Sequence, residues 1–164
     1  LPEIVLQAHR QKPIREQAIF IGITVDEASL RFSRNVTGIV FFEFGASQFP
    51  ERHWNDFVVV ILGWWLDATT KLMAAGEGET ELYFMDGPYS LRISIVGDSF
   101  IVRRGRDEVV TEGEPFELEV DALTFLQGIR DASTSVLSAC ARRAWATADI
   151  EALRLKVSRS DARH

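Results

Sequence analysis

Apolar and polar positions divide the chain into segments of two periods. Residues 17–25 alternate strictly, with Ile19, Ile21, Ile23 and Val25 on one face, the period of a half-buried strand. Asp26 and Glu27 break the pattern. Residues 28–34 resume it with Leu30 and Phe32 inward, which predicts a hairpin with the first strand. After a turn at 35–38, IVFFEF at 39–44 is an almost unbroken β-branched and aromatic run, as in a strand covered on both faces. The period then changes. Across residues 50–75, Trp54, Ile61, Trp65 and Leu72 share a wide apolar face, and the spacing predicts one long helix. Pro50 is read as its first residue, Glu51 and Asp56 as acids in its first turns, and Gly76 and Gly78 as its stop. Gly63, in its middle, offers a place for a strand to approach closely.

The period of two returns over residues 80–121. Strands are expected at 80–85, 89–96, 99–103 and 116–121, with a short one at Val109 and Val110. Turns fall at 86–88, 97–98, 105 and 112–115. Asp121 is a suitable N-cap for a second helix with Phe125, Ile129, Ala132, Val136 and Cys140 inward. Arg142 and Arg143 suit its C-terminus, and Trp145 follows. Ile150, Leu153 and Val157 mark a last helix. The order of strands, helix, strands and helices predicts an α+β domain: an antiparallel sheet of hairpins and meander, with a long central helix and C-terminal helices on one face. Residues 1–16 read as an N-terminal arm, 17–158 as the domain and 159–164 as a frayed polar tail.

FVVVILGWWL at 57–66 carries no charge. A membrane span needs about 20 apolar residues, so the run is read as core and no membrane is expected. The single cysteine, Cys140, excludes an intramolecular disulfide, and a reducing cytoplasm is the expected location. The start of the chain has no basic-then-apolar signal pattern. A net charge of −6 argues against nucleic acid, which needs clustered Lys and Arg.

Candidate chemistry is sparse. His53 and Asp56 have the spacing of an i,i+3 pair that can hold a metal or couple protons. The plainer reading is a solvated helical turn, because no second ligand is near in sequence. Cys140 lies on an apolar stripe, as structural cysteines do. Ser133, Ser135 and Ser138 lack a nucleophile elbow. GEGE at 76–79 lacks the GK[ST] of a phosphate loop. Arg103, Arg104 and Arg106 crowd one hairpin tip, where Asp107 and Glu108 neutralise them. No catalytic residue, metal or cofactor is expected, and the chain is not read as an enzyme.

Charge layout carries the remaining signal. Residues 77–121 hold twelve acidic and four basic residues, and residues 122–164 hold seven basic and four acidic. If Glu77, Glu79, Glu81, Glu112, Glu114, Glu117 and Glu119 converge, they form an acidic surface that steers a cationic partner, with Tyr83 or Tyr89 as aromatic anchors. The alternative is a solvated sheet edge that uses charge to prevent strand pairing.

The segment FEFGASQFPERHWNDFVVVILGWW with the later LYFMDGPYSLRI resembles small bacterial immunity-type proteins of polymorphic toxin and secreted-effector systems, over roughly residues 39–95. The resemblance implies an α+β, cytoplasmic, non-catalytic protein that binds and neutralises a toxin or effector domain, and the charge layout adds the expectation that this domain is basic. It transfers no catalytic residue. A secretion chaperone is the rival within the same class, although such proteins commonly begin with a helix. A small enzyme using His53 and a purely structural subunit are the others.

Overall fold

The computed structural model describes residues 20–105 and 117–161. Ile19, the expected strand at Val109 and Val110, and the predicted partner-binding residues Glu112 and Glu114 lie outside them. The fold is α+β, as expected, but with two antiparallel sheets in place of one.

The first sheet is built on one long strand, β3 (Val36–Phe44). The strands β1 (Phe20–Val25) and β2 (Arg31–Phe32) both pair with β3 rather than with each other, which corrects the predicted hairpin. The reason is local. Asp26 accepts from the Ala28 backbone N–H at 3.0 Å and caps a 3-10 turn at Glu27–Ser29. The Asp26 N–H in turn donates to Ile39 O at 3.1 Å. The chain is thus folded over β3, with Leu30 in the core and Phe32 outside, at 40% exposure. Phe32 stacks on Trp145, 5.5 Å away, and does not point inward as predicted. Strands β4 (Ser47–Phe49) and β5 (Asn55–Asp56) complete this sheet along β3.

The central helix α1 spans Val58–Ala75, eight residues shorter at its start than 50–75. Pro50 is not its first residue; it follows a cis peptide bond in the connection from β4. His53 has φ +69°, and Asn55–Asp56 pair with β3. At the other end Gly76 closes the helix in the left-handed conformation, its N–H donating to Leu72 O. By length and mean hydropathy (1.4) α1 could cross a membrane, but half of it is buried in this domain, with Ile61 and Trp65 fully enclosed.

The second sheet is the expected meander: β6 (Glu79–Tyr83), β7 (Ser90–Val96), β8 (Ser99–Arg104) and β9 (Glu117–Asp121), in that order. The helix α2 (Ala122–Arg142) follows directly, capped by Asp121, which accepts from the Thr124 N–H at 2.9 Å. The backbone and hydroxyl hydrogen bonds from Thr124 hold the Asp121 carboxyl below the usual range. All five predicted inward residues of α2 are buried. A last helix, α3, runs over Ala148–Asp161 and so takes in the start of the segment read as tail.

One core joins the two sheets. The Phe42 ring of β3 lies 4.7 Å from Trp65 of α1 and 5.7 Å from Phe125 of α2. Trp65 in turn meets Phe84, just after β6, at 5.0 Å and donates its indole N–H to Tyr83 O at 2.8 Å. Gly63 does admit a close neighbour, but a side chain rather than a strand. Lys156 of α3 lies across it, and a Cβ there would meet Lys156 Nζ at 3.2 Å.

Candidate partner-binding face

Antiparallel pairing decides which meander side chains share a face. Thr80, Ile93, Val102 and Leu118 oppose one another, as do Ile95, Phe100 and Val120; these rows face α1 and α2. The outer face therefore carries the row Glu81–Arg92–Arg103–Glu117 and the row Glu79–Ser94–Ile101–Glu119. The predicted carboxylates Glu79, Glu81, Glu117 and Glu119 do share one face. They do not converge. They occupy its two flanking strands, three strand spacings apart, on the order of 14 Å. Two arginines fill the gap. Arg92 approaches Glu81 at 3.9 Å and Arg103 donates to Glu117 at 3.1 Å. The β6 half of the row is sheltered, with the Glu81 and Arg92 side chains 18% and 15% exposed. The β9 half is open, with Arg103 and Glu117 at 43% each. Glu119 and Asp121 beside it are exposed, as is Glu77 in the turn before β6.

The two predicted aromatic anchors differ. Tyr83 is on the outer face and 50% exposed. Tyr89 is half-buried and packs edge-on against Trp54 at 5.1 Å and Phe49 at 6.1 Å. It is a packing residue that closes the joint between the sheets.

The arginines expected to crowd one tip are dispersed. Arg103 faces outward to Glu117, and Arg104 places its guanidinium 5.8 Å from the Phe49 ring. Arg106 lies outside the described residues.

His53 and Asp56 are not a pair on a helix. Asp56 is buried and both its oxygens are engaged: by the Trp54 indole N–H at 2.9 Å, the Phe57 N–H at 2.7 Å, and the Met85 and Asp86 N–H groups at 3.1 and 3.2 Å. This carboxylate ties the segment before α1 to the turn after β6. It joins the PERHWND and FMDGP segments, a contact invisible in sequence because its donors lie 29 and 30 residues away. Cys140 is enclosed by the core, and desolvation raises its thiol pKa despite the opposing charges of Arg143 and Arg154. A thiol so placed is neither ionised nor accessible at neutral pH.

Two concavities stand out among the described residues. A groove of about 540 Å³ runs between β1 and α2, lined by Phe20, Ile23, Leu123, Gln127, Gly128 and Asp131. A smaller cleft of about 230 Å³ lies between α1 and α3. Among the described residues no cluster of three or more His, Cys, Asp or Glu is placed to hold a metal. Comparison with known proteins finds no family model, no curated protein and no solved structure that matches this chain.

Proposed function

We propose that this protein binds another protein through the β8–β9 half of the outer meander face, and that it acts as a non-catalytic, immunity-type antidote to a basic toxin or effector domain in the cytoplasm. The observation that supports this is the solvent side of β9. Glu117, Glu119 and Asp121 stand exposed there while Leu118 and Val120 turn inward. The carboxylates are thus presented on a strand fixed by its packing, an arrangement that steers a cationic surface at little ordering cost. Arg103 beside them adds a directional donor, so the face specifies orientation as well as sign.

The test begins with capture of a basic domain from source lysate on the immobilised protein, followed by association kinetics with that domain across a salt series. Association slows as salt rises, because the Debye length falls to about 3 Å at 1 M. Glu119→Lys, and Glu117→Lys/Glu119→Lys together, reduce the association rate on the order of tenfold. A salt-independent rate, or tight binding kept by the double variant, sinks the proposal. The groove between β1 and α2, with Leu123 55% exposed, favours a second reading. Capture of unstructured apolar segments in place of a folded basic domain identifies the protein as a secretion chaperone.

A further inference from the structure

The cleft between α1 and α3 runs against the charge balance of the whole chain. In a protein of net charge −6, three cations border one concavity: Lys71 of α1, and Lys156 and Arg159 of α3. A single carboxylate, Asp67, faces them and engages only Lys156, at 2.9 Å. Lys71 and Arg159 are exposed and have no carboxylate partner among the described residues. A further positive charge stands behind the wall. Arg130 of α2, buried, donates through Nε to Ser160 Oγ at 2.9 Å and through a second nitrogen to Ser160 O. Its ion-pair partner, Asp161, is at 3.5 Å and is itself largely exposed, at 66%. Like charges gathered in this way repel one another, and a bound anion relieves that repulsion.

We propose that this cleft binds a phosphate group. The arginine supplies a planar fork that matches phosphate oxygens two at a time, the lysines supply point charges, and Thr70 on the rim brings a hydroxyl. At about 230 Å³ the cleft is smaller than the roughly 300–1,000 Å³ typical of sites for drug-sized ligands. It therefore takes a lone phosphate or the phosphate end of a larger molecule rather than a whole nucleotide. Gly63 contributes to the geometry, because the bare helix surface lets Lys156 lie across α1 and bring its ammonium to Asp67. The cleft lies between two helices, away from the outer meander face, and the proposal does not depend on that face.

The experiment is a titration of the isotopically labelled protein with inorganic phosphate, followed by backbone amide resonances, with chloride holding ionic strength constant. Sedimentation with phosphatidylcholine vesicles containing phosphatidylglycerol is run in parallel. Saturable movement of the Thr70, Lys71, Arg159 and Ser160 amides is expected, weakened about tenfold or more in Lys71→Gln/Arg159→Gln. Both substituted residues are exposed, so the remaining resonances should report an unchanged fold. Vesicle binding lost in the same variant would also support phosphate recognition and would name a lipid headgroup as its source. Linear shifts that chloride reproduces, together with no vesicle binding, would overturn the proposal. So would a saturable response retained by the double variant. Glu117→Lys/Glu119→Lys should leave the phosphate response unchanged, which separates failure here from failure of the partner-binding reading.

Discussion

Asp56 stands in the sequence as an ordinary acid ahead of an apolar helix, three residues after a histidine. In the fold it is a buried acceptor for four N–H donors from two distant segments. A neutral amide is not a substitute for that arrangement. Asp56→Asn offers one acceptor oxygen, and its NH2 group faces donors. Hydrogen bonds to a charged group contribute about 1.5–3 kcal/mol, and an unsatisfied buried donor costs a further amount of similar order. Asp56→Asn is expected to lower stability by about 2–4 kcal/mol, measured as a shift in urea midpoint at constant slope. A shift below about 1 kcal/mol would show that the loops hold without it. His53, by contrast, lies on an exposed turn at positive φ. Of the His53 and Asp56 pair, the histidine is therefore the less consequential member.

At the level of elements, periodicity read the meander, α2 and most of α1 correctly, because each has one clearly apolar face. It failed where side-chain hydrogen bonds redirect the chain. Asp26 converts an apparent hairpin into two strands flanking β3, and the Asp56 clamp delays the start of α1 until Val58. Such contacts leave no periodic trace. Gly63 stands out in the sequence for its missing side chain, yet its neighbour is Lys156, more than 90 positions later. An alanine there improves helix propensity by about 1 kcal/mol, and only the flexible end of Lys156 needs to move, by a few tenths of an ångström. Gly63→Ala is expected to raise stability by somewhat less than that propensity gain, again by urea midpoint. A net loss would mean that the Lys156–Asp67 pair is too tightly held to yield.

For the molecule as a whole, the −8 net charge of residues 77–121 was legible, but its arrangement was not. Register decides that Arg92 and Arg103 separate the carboxylates on β6 from those on β9, and register follows from turns and packing rather than from composition. The two sheets behave as one body because Trp65 touches both, through Phe42 on one side and through Phe84 and Tyr83 O on the other. Trp65→Ala is expected to cost about 3–5 kcal/mol and to leave a single unfolding transition at lower denaturant; two separated transitions would show that the sheets unfold independently. The preceding residue, Trp64, turns outward on the same helix at 42% exposure, against 0% for Trp65. This adjacency gives the protein two built-in optical channels one peptide bond apart. The enclosed indole emits at shorter wavelength and is shielded from dissolved iodide. The exposed one emits at longer wavelength, is readily quenched, and shares its helix face with Asp67 and Lys71. Once the other two tryptophans, Trp54 and Trp145, are replaced by phenylalanine, light from Trp65 follows the integrity of the interior, and light from Trp64 follows events at the rim of the cationic cleft.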